Sequence, residues 1–354
     1  MSKGSRLLTS LLLLSFWLVG CSREDRIPLK VFIAGSLVVP FESLESEFET
    51  LHPDIDVQVE AHGSIQVIRH VTEIHDAIDV VVPADYKLIP MLMYAQQVPE
   101  TGEPYANWYI QFAHNELVLA YNPKSRYADE INPDNWFEIL AHPEVKFGLS
   151  DPRFDAAGYR ALMVVQLAEE VYANPAIFER VFLGKFKSPI QVQKDAGSTL
   201  IHVPELLETS ETSNILLRGG SVALLALLES GDVDYAFEYA SVARQHGLSY
   251  VELPPQLNLS DLAYASEYGS VKVVMDFQRF SSIKPEFQGE VITYGVTIPT
   301  NAPHPDAAAD FVAFLLGPEG RAIMEAHDHP MLDPLVANGE ASMPAILKTF
   351  FTGE

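Results

Sequence analysis

Ser230 to Gly247, SGDVDYAFEYASVARQHG, reads as a turn, a short buried strand and the start of a helix. Gly231 closes the leucine-rich helix before it, because glycine just past a helix end takes up a left-handed backbone at little cost. Val233 to Phe237 is apolar and aromatic, as a core strand should be, and Glu238 falls where that strand should end. In open α/β sheets, ligands sit beyond the carboxyl ends of strands, beside the N-termini of the helices that follow. Glu238 is therefore an acid placed where a ligand would lie. A capping or rim carboxylate is the plainer reading of the same residue, since acids favour first helical turns.

Working outward, the same rhythm opens the chain. Leu29 to Ile33 reads as a strand running into Ala34-Gly35-Ser36, and a helix follows near Pro40 with Phe41, Leu44, Phe48 and Leu51 at helical spacing. Ile55 to Val59 is a second strand leading to His62-Gly63-Ser64, and Ala77 to Val82 is a third, ending in Pro83-Ala84-Asp85-Tyr86. This β-α-β-α-β order predicts a mainly parallel sheet with helices on both faces. Ser36 and Ser64, each after a strand and a glycine, fit either ordinary N-caps or a shared anion cradle.

Gln111 to Pro123 reads as the crossing into a second α/β lobe, and Val291 to Pro299 as the strand that returns to the first. The expected division is residues 28–113 with 292–354 for lobe I and 114–291 for lobe II, in line with two domains for 354 residues. Within lobe II, Val145 to Leu149 is a strand ending in Ser150-Asp151-Pro152. Asp155 stands just before the next helix, as an N-cap or a ligand group. Ser221 can cap a helix over Val222 to Ser230, whereas Gln191 to Pro204 reads as an exposed connection.

The amino terminus has Lys3 and Arg6, then an apolar run Leu7 to Val19, then Leu18-Val19-Gly20-Cys21. This pattern predicts a secretion signal over residues 1–20, its apolar run too short to favour a membrane span. Leu18 to Cys21 resembles a bacterial lipobox, which implies lipid attachment at Cys21, a tether over 21–27 and a position outside the cytoplasmic membrane. One cysteine excludes an intramolecular disulfide. Removing residues 1–20 takes the formal charge from −25 to −27, which argues against nucleic acid and anionic headgroups as partners. A locally positive nest of backbone N–H groups can still hold an anion.

Seven stretches, AGSLVVPF, HGSIQVIRHVTE, VVPADY, SDPRFDAAGYR, LLALLESGDVDYAFEYASVARQHG, YVELPPQLNLSD and YGVTIPTNAPHPDAAADFVAFLLGPEGR, occur in one order along the chain. In these the chain resembles the archaeal-type tungstate/molybdate-binding proteins, the extracytoplasmic receptors of oxyanion ABC importers. The resemblance implies a two-lobed class II periplasmic-binding-protein fold with tungstate or molybdate held between the lobes and no other cofactor. It implies Asp155 and Glu238 as carboxylate ligands that complete an octahedron around the metal centre of the oxyanion. Ser36 and Ser64 are implied as donors to its oxygens, joined by backbone groups of Ala157 and Val222 and the Tyr239 hydroxyl. A monomer working with a permease and its ATPase is the implied assembly. The family usually has proline where this chain has Ala156, and arginine where it has Ala240.

The same residues also fit other chemistry. Asp155 and Glu238 could form an acid/base pair of the glycosidase kind, but the sequence shows no nucleophile motif. A metal-cation receptor would draw on the His327-Asp328-His329 run, which reads more simply as a solvated helix end. Sulfate and phosphate are the competing anions.

Overall fold

The computed structural model describes residues 26–195, 197–276 and 285–351. The expected signal segment, Cys21 and most of the expected tether lie outside the described residues. Among the described residues, no helix is long and apolar enough to cross a membrane.

The chain begins with β1 (Ile27–Ala34), α1 (Val38–Leu51), β2 (Ile55–His62), α2 (Ser64–Arg69) and β3 (Val80–Val82). Leu29, Val31 and Ile33 are fully buried, as in a strand with helices against both faces. The sheet order is β2-β1-β3, parallel throughout, with Ala34 opposite His62 and Ile33 opposite Val82. That register brings the two Gly-Ser turns to the same sheet edge, next to each other.

The segment read as a crossing contains β4 (Tyr109–His114) and β5 (Leu117–Tyr121), parted by Asn115 and Glu116 and belonging to different sheets. The middle of the chain then forms α3 (Trp136–Ala141), β6 (Phe147–Ser150), α4 (Ala156–Val171), α5 (Ile177–Phe182), β7 (Gln191–Asp195), β8 (Ser198–Val203) and β9 (Ile215–Arg218). It continues through α6 (Val222–Ser230), β10 (Tyr235–Tyr239), α7 (Ala240–Gln245), β11 (Ser249–Val251), α8 (Ala265–Tyr268), β12 (Val271–Met275) and β13 (Glu286–Gln288). One sheet runs β11-β5-β10-β6-β9, with β10 at its centre and parallel to β6. The opening stretch of sequence thus forms the middle strand of the larger sheet. Its strand lies two residues later than expected, so Glu238 is its penultimate residue. Phe237 anchors it by edge-to-face contacts with Trp136 and Phe147, centroids 5.7 and 5.8 Å away.

A second sheet, β13-β12-β8-β7, corrects the expectation for 191–204. That segment is the antiparallel pair β7 and β8, not a connection. Its polar composition masked it, since β7 is an edge strand with mostly exposed side chains.

The chain returns through β14 (Thr293–Val296), followed by α9 (Pro305–Leu316), α10 (Pro318–Ala326), β15 (Met331–Asn338) and α11 (Ala345–Lys348). Strands β14-β4-β15 are antiparallel, and a bridge from Val81 to Thr297 ties them to β3. The class is therefore mixed α/β. The strands that end at the site pair in parallel with one another, β1 with β2 and β3, and β6 with β9 and β10, whereas β4 and β5 pair antiparallel with their neighbours.

Gly158, in the first turn of α4, lies against the end of β6: a Cβ there would meet the Ser150 carbonyl oxygen at 2.3 Å and Pro152 N at 2.7 Å. Gly158→Ala is expected to cost about 1–3 kcal/mol of stability, as overpacking against rigid backbone does. A lower urea midpoint at unchanged slope is the measurement, and an unshifted midpoint would refute the contact.

Candidate functional site

The parallel strands β1, β2 and β3 all end on one side of a cavity of about 400 Å³, and β6, β9 and β10 end on the other. Its wall includes Gly35 and Ser36 after β1, Gly63 after β2, Ala84 after β3, Gly219 to Ala223 after β9, and Tyr239 at the end of β10. Helices α4 and α6 begin at this wall, bringing the positive ends of their dipoles to it.

Elements from opposite sides of the cavity meet closely around it. The Phe154 carbonyl accepts hydrogen bonds from Ile65 N and Gln66 N at 3.1 and 3.3 Å. A Cβ on Gly63 would stand 2.4 Å from that carbonyl oxygen, and one on Gly35 would stand 2.7 Å from Val222 Cγ2. These glycines therefore serve a close approach between halves, beyond the tight turns for which the sequence marks them.

Ser36, Asp155, Val222 and Tyr239 lie on the cavity wall; Ser64, Ala157 and Glu238 lie outside the set that forms it. Asp155 occupies the N-cap position of α4 but does not cap its own helix. Its carboxylate instead accepts the Ser221 N–H at 2.9 Å, from the start of α6, and a further backbone N–H from Ser64. Ser221 likewise makes no side-chain cap for α6. The Ser64 hydroxyl accepts the Ala84 N–H at 3.0 Å, and Ala157 is buried in the first turn of α4.

Glu238 is fully buried. Its Oε2 accepts the Tyr239 N–H at 3.3 Å, whereas Oε1 has no hydrogen-bond partner among the described residues. Burial, and next the charge of Asp155, push its carboxyl up to about 8 against the opposing effect of the nearby Ser221 hydroxyl and the Tyr239 N–H. Asp155 is also raised, again by burial, against the opposing effect of the N–H groups of Ser221 and Ser64.

The counter-charge is Arg160, one of the residues that sequence reasoning did not assign. It is buried in α4 and donates from Nη1 to the Tyr239 hydroxyl at 2.6 Å and to the Ala84 carbonyl at 2.9 Å. Its Nη2 is 3.7 Å from Asp85, which also accepts the Tyr159 hydroxyl at 2.6 Å. Burial works against this guanidinium, but Tyr239, Tyr159 and Asp85 outweigh it and hold it charged. A lone arginine within the apolar run AAGYRALMVV was the available signal, since an unpaired charge on a buried helix is untenable. Ser221 was marked only as a helix cap, not as the donor to Asp155 that it is, and the Gly219-Gly220 turn had no pattern that local sequence reveals.

In the His327-Asp328-His329 run, His327 and Asp328 are partly exposed as expected, but His329 is not. His329 is fully buried against the Tyr294 ring, centroids 5.5 Å apart, because the turn after α10 folds it back towards β14. Among the described residues, no group of three His, Cys, Asp or Glu side chains could hold a metal ion.

Known proteins place this architecture. Residues 29–327 match the family model described as bacterial extracellular solute-binding protein, and the chain belongs to that family. Among its relatives is the molybdate/tungstate-binding protein WtpA of Thermococcus kodakarensis, 38% identical over 359 residues, covering 96% of this chain and 94% of the relative. An uncharacterised solute-binding protein of Methanococcus maripaludis is 40% identical over 320 residues, covering 90% of this chain and 91% of its own. The periplasmic molybdate-binding protein of Azotobacter vinelandii has the same fold at 16% identity, with a TM-score of 0.53 over 85% of this chain and 98% of that one. The fold is that of the periplasmic binding proteins.

The raised Glu238 carboxyl carries a pH signature. A carboxyl raised in the folded state from 4.5 to about 8 stabilises the fold fully below 4.5 and loses that contribution as pH climbs through 8. Ligand-free wild type should therefore lose stability relative to Glu238→Gln across this window. Denaturant titrations at several pH values measure it, and parallel profiles would show that Glu238 titrates normally.

Proposed function

We propose that this chain is an extracytoplasmic receptor that binds tungstate and/or molybdate in the cavity and delivers it to an ABC importer. It acts as a receptor and not as an enzyme. The observation that supports this reading best is the buried Glu238 Oε1, an oxygen without a hydrogen-bond partner, in a carboxylate close enough to Asp155 to feel its charge.

Two acids beside an anion site look unfavourable at first. Unit charges about 4 Å apart repel by roughly 4 kcal/mol at an effective dielectric near 20. Sulfate gives nothing to offset this, because its sulfur does not take further ligands. Tungsten(VI) and molybdenum(VI) are large and electrophilic enough to accept two more oxygens. Asp155 and Glu238 are the residues that would supply them, and an inner-sphere bond offsets what an outer-sphere contact cannot. Ser36, the Tyr239 hydroxyl, the Val222 backbone and the starts of α4 and α6 would meet the oxyanion's own oxygens. Glu238, Ser64 and Ala157, which lie behind the wall, complete the proposed set on small movement of it.

In this reading, residues 28–113 with 292–354 and residues 114–291 are lobes that close on the ligand. The chain works as a monomer tethered through lipidated Cys21 outside the cytoplasmic membrane, with a permease and its ATPase as partners.

Calorimetry on residues 22–354, stripped of ligand, tests the reading with tungstate, molybdate, sulfate and phosphate in turn. We expect one-to-one binding of tungstate or molybdate and no heat from sulfate. Asp155→Ala/Glu238→Ala should abolish that binding, and wild-type affinity in this double variant would sink the assignment. Gly63→Ala, which sets a Cβ against the Phe154 carbonyl, should weaken binding at least tenfold through faster dissociation of a poorly closed complex.

A further inference from the structure

Asn115 and Tyr294 come from the two segments where the chain crosses between halves, and neither was marked by the sequence. Asn115 is 5% exposed and Tyr294 is fully buried. The Asn115 Oδ1 accepts the N–H groups of Glu116 at 3.0 Å and Ser241 at 3.5 Å, which fixes the orientation of the amide. Its Nδ2 is then the donor end, and its two hydrogens go to Ser241 Oγ at 2.8 Å and Tyr294 Oη at 2.9 Å. Tyr294, having accepted there, has its own hydrogen to give, and Ser36 Oγ stands beside it at 2.8 Å. Ser36 in turn becomes an acceptor on that side, so its hydrogen is left for the cavity that it lines.

The direction at Asn115 is forced, and Tyr294, although able to accept twice, gives its hydrogen to Ser36 because Ser36 Oγ is the hydroxyl acceptor within reach of it. An amide NH₂ cannot accept, and its oxygen is already engaged by two backbone N–H groups. Tyr239 follows the same logic, since Arg160 can only donate to it.

We propose that Asn115 is a specificity-determining positioning residue, which acts through Tyr294 to hold the Ser36 hydroxyl as an obligate hydrogen-bond donor to an oxyanion in the cavity. This rests on the oxyanion reading above and deepens it. Asn115 touches no ligand itself. Its effect is to remove the freedom of Ser36 to turn an oxygen lone pair towards an anion, an arrangement that would repel where the fixed one attracts.

The test is Asn115→Asp, which keeps the shape and removes both N–H donors. The aspartate oxygen takes the Tyr294 hydrogen only if that hydrogen leaves Ser36, and Ser36 must then give its own hydrogen back to Tyr294. Tungstate and molybdate affinity at mildly alkaline pH should fall about tenfold or more, the scale of one hydrogen bond to a charged group. Ser36→Ala should cause a similar loss, and the double variant no further loss, because both act through one hydroxyl. Additive losses, or wild-type affinity in Asn115→Asp, would overturn the proposal. Should Asn115→Asp not fold, Tyr294→Phe takes its place in the same cycle, with the same non-additivity expected. Wild type that binds neither anion would instead refute the underlying reading of the cavity.

Discussion

A fully buried carboxylate that senses a second one is the constraint around which this molecule is arranged. Neither Glu238 nor Asp155 could be left charged in such a place without compensation, and the compensation comes from distant parts of the chain. Ser221 and Ser64 supply backbone N–H groups, α4 and α6 bring their positive ends, and Arg160 supplies a full charge nearby. The parallel strand ends exist in this geometry because each sheet runs into the same cavity from opposite sides. A stability-optimised protein would replace these groups by apolar ones. Their retention is the cost of a site, of the kind expected where local rules are broken for function.

Much of this was legible in the sequence. Glu238 stood out because an apolar strand with an acid near its end is uncommon, and Asp155 because it precedes a long apolar helix. The two Gly-Ser turns were visible singly, and the register that sets Ala34 opposite His62 is what makes them neighbours. Strand order in a parallel sheet follows from the β-α-β rhythm, so this neighbourhood was within reach of sequence reasoning.

The remainder was hidden for physical reasons. Arg160 and Tyr239 lie 79 positions apart, and Asn115 and Tyr294 lie 179 apart, so their meaning comes from partners that no local pattern contains. The β7 and β8 pair was hidden because an exposed edge strand needs few apolar residues. His329 was misread because a histidine next to an aspartate in a His-Asp-His run looks solvated until the ring that covers it is known.

The Phe154 carbonyl, with its hydrogen bonds from Ile65 and Gln66, joins the halves using protein groups alone. A closed arrangement with contacts of its own need not wait for ligand to form. If the lobes close on ligand as proposed, the ligand-free chain would be an equilibrium between open and closed forms, and the ligand would select the closed one to the extent of its differential affinity. Observed affinity becomes the intrinsic affinity of the closed form multiplied by the fraction of molecules already in it. Substitutions at this seam would tune binding strength without touching any group that meets the ligand. They would also decide how readily a loaded receptor is told from an empty one by whatever docks on it.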